Sequence, residues 1–291
     1  MQVIRFLVIF LIFFLTSLPS EAIKIGLIDA TPYSYIGTST EGYLIDTKTN
    51  KSLYRIEPMK PYKFSVRRNS IIVEVNSKEY NLGTDIIQVR PVDNGLCCAK
   101  KRWYRGELIL RTNGSKLTVI NNLQLEDYIR GVVPSEMPSK WNIEALKAQA
   151  IAARSYALAN LNKRGSLGYD LKDTPEDQAY GGASSETPES NKACDDTRWI
   201  VLTYDKKVIP AYYSASAGGH TTNSGDVWMK DLPYLRAVPS YDGNVKKNGH
   251  GIGMSQHGAN NLAGKGYNAY QILTYFYNNV KFGKVPSTWP I

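Results

Sequence analysis

The stretch Leu125–Tyr156 most constrains how this chain can fold, because it sets two helical patterns on either side of a proline-bearing turn that carries a carboxylate. Leu125–Val133 has helical spacing, and Pro134 should end it, since the residue before a proline is pushed out of the α region. That puts Glu136 on a connecting turn. From Asn142, in the N-cap position, the pattern resumes, with Glu144 in the first turn and Ile143, Leu146, Ala150, Ala153 and Ala157 at helical spacing. Seven alanines between Ala145 and Ala159 make this second helix slim. A slim helix admits close neighbours, so the pattern predicts a buried central helix with the Glu136 turn held at its N-terminal end.

Upstream, residues 23 to about 122 read as β. Short β-branched and aromatic runs alternate with turn chemistry at Thr38–Gly42, Asn50, Asn76-Ser77, Asn81–Gly83 and Thr112–Ser115, as in a small barrel or sandwich. The character changes near Asn121. The expected class is therefore α+β: an N-terminal all-β region, then a mixed domain with a central Ala-rich helix and a groove. Tyr169–Thr197 is polar and rich in Gly, Ser and Pro, which reads as a surface loop. Trp199–Tyr204 and Val208–Tyr213 read as a hairpin, and Ala269–Tyr277 as a closing helix with Tyr270, Ile272, Leu273 and Phe276 turned inward.

Residues 1–22 have the layout of a secretory signal peptide: Arg5, an apolar run from Phe6 to Leu15, then Ser20-Glu21-Ala22, with Ala22 the expected last residue removed. The apolar run falls short of the ~20 residues that span a bilayer. The expected location is extracytoplasmic, periplasmic or at the cell wall, with a retained N-terminal membrane anchor as the alternative. A net charge of +9 favours an acidic partner there. The basic residues are scattered apart from Arg67-Arg68 and Lys100-Lys101-Arg102, which argues against nucleic acid as that partner. Cys97, Cys98 and Cys194 permit one bridge in an oxidising compartment, from Cys194 to one of the pair or between the neighbours.

Two further segments carry candidate chemistry. Ser214-Ala-Ser216-Ala-Gly218-Gly219-His220 brings hydroxyls and backbone donors together, and Gly249–Gly258 sets four glycines around His250 before a helical pattern. All three histidines, His220, His250 and His257, lie late in the chain, but no zinc-binding spacing accompanies them. A Ser-His-Asp arrangement using Ser216 and His250 lacks a nucleophile-elbow sequence. No metal is expected.

The run Leu125–Tyr156, with its Ser135-Glu136-Met137-Pro138 turn, closely resembles the signature of the stage II sporulation protein D family. Asp173–Gly182, Ser214–Trp228 and Gly249–Gln256 match further blocks, so the resemblance covers about Arg105 to Phe282. Together with the signal-peptide and β readings above, it divides the chain into a signal peptide at 1–22, a β-rich accessory region at 23–104 and a catalytic domain at 105–291. It implies a peptidoglycan lytic transglycosylase that needs no cofactor, with Glu136 as its catalytic residue and His250 as a second catalytic group. Arg154, Gln178, Tyr180, Ser214, Ser216, His220, Ser255 and Gln256 would hold substrate; a guanidinium touching Glu136 would lower its pKa, so Arg154 is expected on backbone or substrate. The implied partners are glycan strands stripped of stem peptides and an N-acetylmuramoyl-L-alanine amidase that strips them.

One carboxylate suffices for such chemistry. Ordinary glycosidases need two, whereas here the muramic acid C6 hydroxyl is the nucleophile and 1,6-anhydro-muramyl ends are the products. Relatives in the broad family enhance amidases without cutting, which supplies the alternative, and a plain glycosidase is a third reading. The chain departs from the family's pattern at His257 and at Asn278-Asn279.

Overall fold

A computed structural model describes residues 22–228 and 230–285. The signal-peptide reading therefore lies outside the described residues except for Ala22, which opens the first strand, β1 (Ala22–Thr31), and pairs with Gln124.

Two sheets build the β region. One has seven strands in the order Leu171–Lys172, β1, Lys116–Gln124, Glu107–Asn113, Ile86–Pro91, Gly42–Asp46 and Ser52–Ile56. The other has six: Arg102–Tyr104, Cys97–Ala99, Tyr33–Thr38, Tyr62–Arg67, Ser70–Val75 and Lys78–Asn81. Alternation decides which face of a strand turns inward. In Tyr62–Arg67, Tyr62 and Phe64 are buried while the alternate residues Lys63 and Ser65 are not. Phe64 and Val73 of one sheet share a core with Val89, Leu108 and Val119 of the other, a sandwich-like arrangement. Strands from both sides of position 104 are hydrogen-bonded, with Leu108 opposite Val89 and Ile23 opposite Leu123. The β layer is thus completed by strands on the far side of that division.

The last strand of the larger sheet runs directly into α1 (Leu125–Glu136). Here the sequence expectation needs correction: the helix continues through Pro134, and Glu136 is its final residue rather than part of a turn. Proline lacks a donor, but in a last turn only one intrahelical bond is forfeited. The Ser135 hydroxyl donates to the Gly131 carbonyl at 2.7 Å and the Met137 N–H to that of Val133 at 2.9 Å, which holds the turn closed. The second helix, α2 (Ile143–Ala159), is capped as expected, Asn142 Oδ1 accepting from the Glu144 N–H at 3.0 Å. Twelve of its residues are buried, among them an unbroken run from Ala148 to Ala157. It is the central helix that the alanines predict.

The segment Tyr169–Thr197 departs from its loop-like composition, because it contains α3 (Pro188–Asp196). Thr187 and Ser190 close a reciprocal capping box and Pro188 opens the helix. Ile200–Tyr204 pairs with Lys207–Val208 as the expected hairpin and with Lys281–Lys284 on its other side. Short α4 (Ser224–Val227), α5 (Gln256–Gly264) and α6 (Ala269–Phe276) complete the chain. In α6, Ile272, Leu273 and Phe276 are buried, whereas Tyr270 faces outward and leans on Phe282. The three cysteines are free: Cys97 is buried between the sheets, Cys98 is half-buried and Cys194 is buried on α3. Neither cysteine bridge forms.

Candidate active site

Glu136 ends α1 half-buried, at the helix terminus where partial negative charge accumulates. Its carboxyl meets neutral donors. The Ala179 N–H donates to Oε1 at 2.7 Å, and Gln256 Nε2 reaches Oε2 at 3.4 Å and Gln149 Oε1 at the same distance. The Tyr213 hydroxyl lies near the carboxyl and favours its charged form. Its proton direction follows from its neighbour: Gln178 Nε2 donates to the Tyr213 oxygen at 2.8 Å, which leaves the phenolic hydrogen for Glu136. Gln178 is itself fixed by the Tyr128 hydroxyl at 3.2 Å and the Ala153 carbonyl at 3.3 Å. No cation pairs with Glu136 among the described residues. Burial therefore pushes its carboxyl above the ordinary range, and the Ala179, Gln256 and Tyr213 donors only partly offset this.

Four segments converge to make this geometry. Strand Tyr213–Ser214 runs parallel to Met254–Ser255, which leads into α5, so Tyr213 and Gln256 approach Glu136 from paired strands. Gly253 makes the close pairing possible. Its φ is +71°, and a Cβ there would lie 2.1 Å from the Tyr212 carbonyl oxygen. Behind the strands, buried Asp242 accepts from the Ala217 and Gly218 N–H groups, each at 2.7 Å, from the Ser240 hydroxyl at 2.7 Å, and from the Ser255 hydroxyl. Burial pushes Asp242 upward, but the Ser255 and Ser240 hydroxyls and the backbone amides outweigh it and hold the carboxyl below its usual range. Asp242 thus ties the Ser-x-Ser-x-Gly-Gly segment to the start of α5.

A cleft of about 450 Å³ is lined by Pro134 and Ser135, the two residues before Glu136, and by Arg102, Asp173, Ala179 and Ser184 among others; Glu136 itself is not in its lining. Ala179 borders it and donates to Glu136, which connects the cleft to the carboxyl. A larger cleft, about 790 Å³, lies at the opposite end of α1 near Asp127. Its arginines are already engaged, Arg90 with Glu107 and Arg105 with Glu186, so the smaller cleft is the better candidate.

Residues 113–204 match the family described as Stage II sporulation protein. An amidase enhancer of Bacillus subtilis (strain 168) is 43% identical over 109 residues, 38% of this chain and 14% of the relative. Stage II sporulation protein D of Bacillus amyloliquefaciens is 35% identical over 136 residues, 42% of this chain and 40% of the relative. An uncharacterized protein of Brachyspira hyodysenteriae is 40% identical over 136 residues, 46% of this chain and 37% of the relative. Residues 113–204 are thus the part of the chain similar to stage II sporulation proteins. The matched stretches span well under half the length of each of these relatives.

The SpoIID match contains Glu136, Gln149, Gln178 and Ala179, and it ends before Tyr213, His250 and Gln256. Of the expected site residues, Gln256 touches Glu136 and Gln178 acts through Tyr213. Others turn elsewhere. Arg154 is fully buried and forks onto Glu126, with Nε to Oε1 at 2.7 Å and the second bond at 2.8 Å, and it donates to the Ile200 carbonyl at 3.0 Å, so its donors are taken up inside the fold. The Tyr180 hydroxyl donates inward to Asn121 at 2.8 Å, Ser216 to the Lys246 carbonyl at 2.5 Å, and Ser255 to Asp242 while capping α5. These hydroxyls are consumed by the fold. Ser214 Oγ is buried without a partner, and His220 is exposed with Nδ1 3.3 Å from the Thr221 carbonyl.

His250 is a brace. Its Nδ1 accepts from the Ile252 N–H at 2.9 Å, its ring lies against Trp228 and Tyr212, and it faces the Tyr213 carbonyl. Burial and Lys247 push its pKa down. Among the described residues no group of three His, Cys, Asp or Glu side chains converges as a metal site. Burial also pushes the Cys194 thiol up to about 12, far from a ligating thiolate. Tyr213, Gln149, Ala179 and Asp242 were missed in the sequence. Only Tyr213 had a signal, its place directly before the Ser-x-Ser block.

Proposed function

We propose that the chain is a cell-wall lytic transglycosylase that cleaves peptidoglycan strands stripped of stem peptides. The observation that carries this reading is Glu136 itself: a carboxyl raised by burial, gripped by neutral donors, with no second carboxylate in its hydrogen-bonded network among the described residues. Such a group is pushed by burial toward the protonated form in which the reaction would begin. It donates to the glycosidic oxygen as the C1–O bond breaks, and the departing strand leaves with that proton. The carboxylate then takes the proton of the muramic acid C6 hydroxyl as its oxygen bonds to C1, which closes the 1,6-anhydro ring and restores the acid. Between the two transfers the Ala179 N–H and the Tyr213 hydroxyl stabilise the carboxylate. His250 serves this reaction by holding Tyr213.

The same reading places the protein outside the cytoplasmic membrane, downstream of an amidase that exposes its substrate. Among the described residues no helix is long and apolar enough to cross a membrane. The similarity to an amidase enhancer favours a second reading, in which the cleft binds stripped strands or an amidase without cutting. Mass spectrometry of muropeptides separates the two. With amidase-stripped strands, the transglycosylase yields anhydro-muramyl ends, and Glu136→Gln lowers their rate ~10²–10⁴-fold. Reducing ends would indicate a hydrolase, and no cleavage by folded protein would leave the enhancer.

A further inference from the structure

The 450 Å³ cleft contains one cation and one anion, and only the anion is neutralised. Lys100 pairs with Asp173 at 2.6 Å, whereas Arg102 forms no ion pair among the described residues and its side chain is exposed. Arg102 belongs to the β region, on strand Arg102–Tyr104. The strand is fixed to the cleft wall, because the Trp103 N–H donates to Ser184 Oγ at 2.8 Å. The neighbouring Ser185 and Ser135 hydroxyls both donate to the Gly131 carbonyl of α1, which couples this wall to the helix that ends at Glu136. Beneath lies the buried Tyr104 hydroxyl, with Arg102 and Asp173 as its charged neighbours. An uncompensated guanidinium on an anchored strand, beside hydroxyl groups in a cleft of small-ligand size, suits a sugar that bears a carboxylate.

We propose that Arg102 is a specificity determinant that reads the free lactyl carboxylate of muramic acid. The proposal rests on the glycan reading of the site and deepens it. Removing a stem peptide hydrolyses the lactyl amide and leaves a carboxylate on the muramic acid. A guanidinium bonds that carboxylate through two parallel N–H groups, whereas an amide offers a single neutral acceptor. Preference for stripped strands then resides in a charge contributed by the β region to a cleft that is otherwise built by α1 and the Asp173–Ser185 segment.

The test compares amidase-stripped strands with the same strands after their lactyl carboxylates are coupled to methylamine. It reads both anhydro-end formation by the wild-type chain and equilibrium binding to the Glu136→Gln variant. The free carboxylate is expected to raise kcat/KM and affinity about tenfold to a hundredfold. Arg102→Gln should reduce this ratio to about one, and Arg102→Lys should restore part of it. Thermal unfolding checks that the variants fold, and Arg102→Lys still reports on geometry if Arg102→Gln does not. Cleavage with equal rates on both strands overturns the role of Arg102 and leaves the transglycosylase standing. Binding that discriminates through Arg102 without any cleavage keeps the role and removes the transglycosylase. No binding to either strand overturns both.

Discussion

Two glutamates on one helix, ten positions apart, have opposite surroundings. Glu126, in the first turn of α1, is clasped by the Arg154 fork and also accepts from the Trp199 N–H at 3.3 Å. Glu136, in the last turn, meets an amide N–H, a carboxamide and a phenol. Both sets of partners depend on α2: Arg154 serves one end directly, and Gln149 serves the other through Gln256. A buried charge with a charged partner is a fastener, whereas a buried carboxyl without one keeps a proton to give away. The helix dipole acts in the same sense, favouring the anion at the first end and disfavouring it at the second.

The largest effect should come from breaking the fastener. Arg154→Ala leaves Glu126 buried and unpaired, which costs about 3–5 kcal/mol, and urea unfolding should show the midpoint fall accordingly. A loss under ~1 kcal/mol would mean that water replaces the guanidinium. Next comes the attempt to turn Glu136 into a second Glu126. Gln256→Lys places an ammonium at the carboxyl and lowers its pKa, so the rate of anhydro-end formation at neutral pH should drop ~100-fold while the fold persists. An undiminished rate would remove Glu136 as general acid.

The direction of the pH dependence follows from burial. Glu136 has a folded-state pKa above that of the unfolded chain. Activity that requires its proton is therefore greatest below the raised value and declines as pH rises through it. The stability contributed by the neutral carboxyl follows the same course, fully present below the unfolded pKa and lost as pH rises through the folded one. Glu136→Gln carries no such charge, so its melting temperature should exceed that of the wild-type chain on the alkaline side. Parallel melting curves across pH would show the carboxyl to be better solvated than its neighbours suggest.

How much of this was legible in the sequence depended on the range of the interaction involved. Asn142 and the alanines of α2 specify a capped, slim, buried helix through contacts within a few residues, and that helix is where they place it. Pro134 misled because a helix-breaking residue costs little in a last turn. Thr187-Pro188 and Ser190 were a local start signal hidden by the polar composition around α3. The serines needed long-range information: Ser216 and Ser255 look alike in the sequence, and only the folded chain shows that a backbone carbonyl thirty positions away takes one and Asp242 the other. Arg154 was legible as a charge near Glu136 in sequence, but the helix carries it to Glu126.

The smallest effect is expected at Tyr213, whose hydroxyl sits between the two arms of the site. Tyr213→Phe removes one donor from Glu136 and one acceptor from Gln178, while Gln178 keeps the Ala153 carbonyl and the Tyr128 hydroxyl. Losing a neutral hydrogen bond costs roughly 0.5–1.5 kcal/mol, so the rate should fall about twofold to tenfold. The direction of the pH shift is more informative. The hydroxyl lowers the Glu136 pKa, so its loss should move the fall in activity to higher pH, opposite to Gln256→Lys. Paired pH–rate profiles of the two variants therefore test whether neutral donors and charge act on the same carboxyl. If both profiles move in one direction, the phenolic hydrogen does not point at Glu136, and Tyr213 belongs with the scaffold.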